Sequence, residues 1–220
     1  MQIRKERLGA EHPEYVKSLT RLAGLYSSVR VYDKAEPLYL EALQVTKKVL
    51  GEDHPDYIHN LNDLAGLYYA MEEYEKAEPL YKEALELTRK VIGQNNPEYI
   101  RSLSNLAGLY FSMEAYEKAE PLYLEALQVT KKVRGEDHPD YTHSLNDMAG
   151  LYYSMQAYEK AEPLYLEALQ VTKKVLGEEN PDYVTSLNCL AGLYYAMEAY
   201  EKAEPLYLEA LRIQEHRQED

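Results

Sequence analysis

Every glycine and every proline in this chain of 220 residues recurs at an interval of 42. Gly9, Gly51, Gly93, Gly135 and Gly177 form one series, and Gly24, Gly66, Gly108, Gly150 and Gly192 the other. Pro13, Pro55, Pro97, Pro139 and Pro181 keep the same step, as do Pro37, Pro79, Pro121, Pro163 and Pro205. When all the residues that punctuate backbone structure are periodic, each period is one supersecondary unit and the fold is a stack of such units. The spacing predicts five repeats, 9–50, 51–92, 93–134, 135–176 and 177–220, in a single repeat domain over 1–220. Residues 1–8 match the last two turns of a second helix and are expected to form a partial one.

Local rules place two helices in each repeat. In Gly51-Glu52-Asp53-His54-Pro55-Asp56 the glycine is expected to end one helix in the left-handed αL conformation. His54 then serves as N-cap, Pro55 as first helical residue, and Asp56 faces the positive end of the helix dipole. A first helix (helix A) is predicted from about Pro55 to Met71, with Leu61, Leu64, Ala65 and Tyr68 on one face at helical spacing. A second (helix B) follows from about Tyr74 to Val91, with Ala77, Leu80, Tyr81, Ala84, Leu85 and Leu87 inward. Pro79 falls early in helix B, where it removes few intrahelical bonds and allows a mild bend. Neither helix can bury its apolar stripe alone, so antiparallel A/B pairs must stack into an all-α solenoid. Tyr15, Tyr26, Tyr32, Tyr39 and their equivalents read as core. Glu36, Glu41, Glu78 and Glu83 read as a solvated convex face.

The stretch Leu64-Ala65-Gly66-Leu67-Tyr68, with Tyr74 and Ala77-Glu78-Pro79-Leu80-Tyr81-Lys82-Glu83-Ala84-Leu85, resembles the tetratricopeptide repeat. The 42-residue period and the phrase AEPLY..AL......G..HPD are similar to the repeats of kinesin light chain and related bacterial proteins. The resemblance covers nearly the whole chain and implies a right-handed superhelical solenoid of antiparallel helix pairs. Two departures stand out. Tetratricopeptide hairpins usually carry Gly two residues before the helix-B tyrosine, whereas this chain has Arg30, Glu72, Glu114, Gln156 and Glu198. An extra Gly also follows each helix-A alanine, at roughly 1 kcal/mol relative to Ala inside a helix, which calls for a packing or groove explanation.

The resemblance further implies that helix A lines a concave groove, and three ladders of residues then face a ligand. One runs Lys17, His59, Arg101, His143, Thr185; the next Thr20, Asn62, Ser104, Asn146, Asn188; the third Ser27, Tyr69, Phe111, Tyr153, Tyr195. Asparagine offers a donor and an acceptor to an extended peptide backbone. Aromatic rings supply apolar area, and glycine permits close approach. The competing reading is that the aromatics only pack against the next repeat and the polar groups are merely solvated. These ladders point to a protein-interaction scaffold that takes an extended peptide or a partner helix. The alternative is a ligand-sensing or self-association region of a larger signalling protein.

The remaining composition excludes more than it suggests. With 24 Lys plus Arg against 38 Asp plus Glu, the net charge of −14 disfavours phosphate backbones and anionic membranes, so neither nucleic acid nor membrane is an expected partner. No apolar run reaches the ~18 residues of a membrane span, and no signal-peptide core is present. Cys189 is the only cysteine, compatible with a cytoplasmic location, and reads as incidental. His54/Asp56/His59 and His138/Asp140/His143 have poor metal spacing, because residues at i and i+5 do not share a helix face. No cofactor and no enzymatic activity are expected.

Two features bear on the ends. Gln44–Tyr57 and Gln128–Tyr141 differ only at Leu50 against Arg134, as expected of a duplicated two-repeat block or of consensus-like engineering. The opening Met1-Gln2-Ile3-Arg4, within a helical pattern, suggests a piece of a longer array. At the other end Arg217 and Gln218 replace Val175 and Leu176, so a polar terminal cap is expected there. Homo-oligomerisation through the N-terminal end is expected of the open half-repeat.

Overall fold

The computed structural model describes residue 9 and residues 11–219, with side chains as far as residue 217. The partial helix expected over 1–8 lies outside the described residues, as does that part of the N-terminal association surface. All regular structure among the described residues is helical. The chain divides into two compact units, Met1–Met113 and Glu114–Asp220. The first holds α1 (Pro13–Ser28), α2 (Tyr32–Leu50), α3 (Pro55–Ala70), α4 (Tyr74–Leu87) and α5 (Pro97–Ser112). The second holds α6 (Tyr116–Arg134), α7 (Pro139–Ser154), α8 (Tyr158–Leu176), α9 (Pro181–Ala196) and α10 (Tyr200–Glu219).

Each helix A starts as its sequence dictates. The His12, His54 and His138 Nδ1 atoms, and the Asn96 and Asn180 Oδ1 atoms, accept the backbone N–H two residues on, and proline occupies the first turn. These caps account for His54 and His138. No group of three or more potential ligands able to hold a metal occurs among the described residues.

The helix ends correct two expectations. Gly51 has φ 88° and ψ 168°, and its equivalents are alike, so these glycines sit in an extended positive-φ region essentially confined to glycine and not in αL. The αL-type φ appears instead at Arg30, Glu72, Glu114, Gln156 and Glu198, with φ between 56° and 60°. At Glu72 the closure is a Schellman motif: its N–H bonds to Tyr69 C=O at 3.0 Å, and Glu73 N–H to Tyr68 C=O at 2.9 Å. The family's glycine is thus replaced by side chains at the one hairpin position where L-residues are strained. Helix B of the second repeat also differs from expectation. Its last turn, Thr88–Ile92, is a π-turn closed by Gly93 N–H to Thr88 C=O at 2.9 Å.

Packing within each unit follows the apolar stripes. Tyr57, Ile58, Leu61 and Ala84 cluster with Leu43, Leu80 and Ile92 in the first unit. Tyr165, Leu190, Leu193 and Tyr194 do so with Ala149, Ala161 and Ala203 in the second. Tyr15 and Tyr39 are buried as expected, while Tyr26 and Tyr32 are half-buried.

The glutamates expected to be merely solvated tie the repeats together. Tyr15 donates to Glu41 at 2.9 Å and Tyr57 to Glu83 at 3.0 Å within their repeats. Tyr68 reaches back to Glu36 at 2.8 Å and Tyr110 to Glu78 at 2.9 Å across repeats. Tyr152 to Glu120 at 2.9 Å and Tyr194 to Glu162 at 2.8 Å repeat the arrangement in the second unit. The reason is geometric: a tyrosine at the edge of a helix pair buries its ring and needs an acceptor for its hydroxyl.

Candidate ligand-binding groove

The three ladders lie on α1, α3 and α5 in the first unit and on α7 and α9 in the second, and their members range from exposed to buried. Lys17, His59, Arg101, His143 and Thr185 are exposed. Arg101 pairs with Glu98 and lies 3.4 Å from His59 Nδ1, while His59 Nε2 is 3.8 Å from Asp63. Burial raises the Asp63 carboxyl above its ordinary range, opposed by the positive fields of His59 and Arg101.

In the second ladder Thr20 bonds back to the Lys17 carbonyl at 3.2 Å, and Ser104 is half-buried. Asn62 is buried, with Nδ2 on the Ile58 carbonyl at 3.1 Å and Oδ1 accepting from Asn105 at 3.4 Å. Asn188 is exposed. Asn146 Oδ1 is buried and has no hydrogen-bond partner. In the third ladder Tyr69 and Tyr153 are exposed and meet Tyr74 and Tyr158 of their own hairpins at 5.9 and 5.8 Å between ring centres. Tyr69 also shares a 2.8 Å hydrogen bond with Ser112. Tyr195 meets Tyr200 at 5.5 Å, and Phe111 is half-buried.

Between the ladders the extra glycines face the helix-B tyrosines at a distance that an added Cβ would also fit. A Cβ on Gly66 would lie 3.6 Å from the Tyr81 hydroxyl, and one on Gly150 would lie 3.7 Å from that of Tyr165. The tyrosine hydroxyls therefore come up beneath bare helix-A backbone.

A cavity opens at the same repeat position in each unit. The first, about 330 Å³, has walls from Val16, Val45, Val49 and Leu50, with Thr20 and His59 among the polar groups at its surface. The second, about 60 Å³, is lined by Thr142, His143, Asn146, Leu176 and Thr185. The linings differ at several equivalent positions, and the second lacks the helix-B residues that correspond to Val45, Thr46 and Val49. Asn146 stands where the first unit has Thr20, and Ser186 stands where it has Asn60. Lys17, Thr20, His59, His143 and Asn146 of the ladders line these cavities, whereas the helix-B wall was not among the candidates read from the sequence. Its signal was the apolar pair Val49-Leu50, 40% and 38% exposed immediately before the turn glycine.

The model of the family described as Tetratricopeptide repeat matches residues 18–90, 98–174 and 143–216. This chain belongs to the tetratricopeptide repeat family. The solved structure of BtubC (BKLC) from P. vanneervenii is 23% identical, with a TM-score of 0.84 over 99% of this chain and 86% of that one. A P. anserina putative kinesin light chain of nearly identical repeats is 23% identical, with a TM-score of 0.86 over 95% and 99%. YrrB, described as a tetratricopeptide repeat protein with an unusual peptide-binding site, is 17% identical, with a TM-score of 0.57 over 97% and 91%. At these identities the likeness shows the fold, a solenoid of kinesin-light-chain-like tetratricopeptide repeats. No curated protein sequence matches significantly. The family is one of interaction scaffolds, generally without catalytic activity. Among the described residues, no helix is long and apolar enough to cross a membrane.

Proposed function

We propose that this chain is a protein-interaction scaffold whose helix-A faces receive an extended peptide or a partner helix. The observation that carries this reading is the cavity repeated on equivalent residues of the two units, beside ladder residues in both and next to a buried, unpartnered Asn146 Oδ1 in one. A buried carbonyl oxygen without a donor costs free energy that a ligand N–H recovers on binding. With Asn62 engaged internally, Asn146 and Asn188 are the carboxamides that serve a ligand backbone. Lys17, Thr20, His59, Arg101, Ser104 and His143 provide the polar contacts, and Tyr69, Phe111, Tyr153 and Tyr195 the apolar ones. Net charge and the mixed signs around His59 argue against nucleic acid and membrane as partners. A cytoplasmic setting agrees with the lone Cys189.

The test is selection from a phage-displayed library of random peptides, followed by titration of the enriched peptides. Val49→Trp, which fills the larger cavity, and Asn146→Ala are each expected to weaken binding at least about tenfold while leaving the helical signal intact. Failure to enrich any peptide, or unchanged affinity in both variants, would overturn the proposal.

A further inference from the structure

Two buried tyrosines of the first unit bond differently from their neighbours. Tyr57, Tyr68 and Tyr110 each donate to a glutamate. Tyr39 on α2 and Tyr81 on α4 are only 7% and 6% exposed, yet neither hydroxyl has a hydrogen-bond partner among the described residues. A buried polar atom left in this way costs free energy that a ligand atom can recover.

The approach to both oxygens is open. A Cβ on Gly24 would meet the Tyr39 oxygen at 3.5 Å, and one on Gly66 would meet that of Tyr81 at 3.6 Å. Apart from the helix around each glycine, no other atom comes within 4 Å of those positions.

Asp63, one turn before Gly66 on α3, brings a charge to the same place. Burial, then the Asp63 field at Tyr39 and the fields of Tyr69 and Asp63 at Tyr81, raise the two phenols to about 12. The Asp63 side chain is 30% exposed and accepts no hydrogen bond from the described residues. His59 Nε2 stays 3.8 Å away, and Arg101 is engaged by Glu98. Burial outweighs the fields of both and keeps the Asp63 carboxyl above its ordinary range, so the protein leaves this charge under-compensated.

We infer that Asp63, Tyr39 and Tyr81 form a site for a lysine side chain of the bound partner, its ammonium donating to the carboxylate and to both phenol oxygens beside Gly66. The inference rests on the groove reading above and adds the chemistry of the partner. An ammonium has three donors around a point, matching three acceptor groups. A planar guanidinium pairs with the carboxylate along one edge and leaves the phenols unserved. The net charge of −14 attracts a cationic partner at longer range. The site is not a property of every repeat, because Arg21, Asn105 and Cys189 stand at positions equivalent to Asp63.

Nα-acetyl-lysine N-methylamide titrated into the full chain tests this, with binding followed by saturation transfer to the probe in NMR. Saturable binding is expected, together with shifts of the Tyr39 and Tyr81 ring signals. The norleucine analogue, which keeps the stem and lacks the ammonium, is expected not to bind, and the arginine analogue to bind at least about threefold more weakly. Asp63→Asn is expected to weaken the lysine probe about tenfold. Tyr39→Phe combined with Tyr81→Phe is expected to weaken it about threefold or more, with thermal unfolding unchanged because those hydroxyls bond to nothing in the free protein. Absence of saturable binding, equal binding of the norleucine or arginine analogue, or unchanged affinity in both variants would overturn the inference. Peptide selection is a separate readout: enriched peptides that ignore Asp63→Asn would sink the lysine site alone, and a bound lysine probe without any enriched peptide would sink the peptide reading alone.

Discussion

Asn60 Nδ2 donates to the Thr46 hydroxyl across 2.8 Å in the buried seam between α2 and α3, where the other seams pair threonine with serine. Thr88 and Ser102 meet at 3.2 Å, Thr130 and Ser144 at 3.0 Å, and Thr172 and Ser186 at 3.3 Å. Thr46 itself donates to the Ala42 carbonyl at 2.8 Å, so it is the acceptor for Asn60. One substitution in the repeat thus changes a buried hydrogen bond beside the larger cavity, whose lining includes Thr46 and Asn60.

Thr46→Val is therefore expected to cost about 1–3 kcal/mol, because it leaves a buried amide donor without an acceptor. Thr88→Val is expected to cost less, under about 1 kcal/mol, because Ser102 has another partner within reach. Ser18, at the equivalent position, bonds to the carbonyl four residues back at 2.6 Å. Urea denaturation of both variants checks the difference, and equal losses would refute it.

Glu72 and Gln156 hold φ of 60° and 58° in the Schellman closures of their hairpins. Glycine avoids the steric cost of that region but loses more entropy on folding, so Glu72→Gly is expected to stabilise by roughly 0.5–1 kcal/mol. Glu72→Val, β-branched at positive φ, is expected to destabilise. Comparing denaturation midpoints of the two variants with the wild type decides the sign.

Gly66 lies inside α3, where alanine gains about 1 kcal/mol of helix propensity. An added Cβ would meet the Tyr81 hydroxyl at 3.6 Å, an ordinary contact. Gly66→Ala is therefore expected to be neutral or stabilising in thermal unfolding, while weakening any ligand that approaches the bare backbone. A stability loss would show that packing, and not access, fixed the glycine.

The tyrosines that bond across repeats give the protein an alkaline limit. Burial, reinforced by the hydrogen bonds to Glu36, Glu120 and Glu162, raises the Tyr68, Tyr152 and Tyr194 phenols from 10.0 to about 12. Because the folded state holds these protons more tightly, the stability they contribute is complete below pH 10 and is lost as pH rises toward 12. Denaturant midpoints followed across that interval, with tyrosinate absorbance, are expected to fall. Tyr68→Phe together with Tyr152→Phe should flatten the decline.

Local rules made the helices legible: a His or Asn cap before proline, an acid behind it, and apolar positions at helical spacing are all decided within a few residues. The positive φ at Gly51 was legible for the same reason. Its ψ, and the strained conformation of Glu72, were not, because the hairpin that imposes them is closed by packing of two helices. The ladders were legible as positions but not as chemistry. Asn62 and Asn146 are the same residue two repeats apart, yet one is bonded to Ile58 and Asn105 while the other keeps a buried oxygen without a donor.

The sequence by itself determined a five-fold, 42-residue helical repeat and the faces each helix turns inward, since glycine, proline and apolar periodicity act locally. Only the tertiary structure decided which glutamates serve tyrosine hydroxyls and where a cavity opens between α1, α2 and α3. Those outcomes depend on side chains from different repeats competing for the same space and the same hydrogen-bond partners, and nearly identical repeats differ there because their neighbours differ.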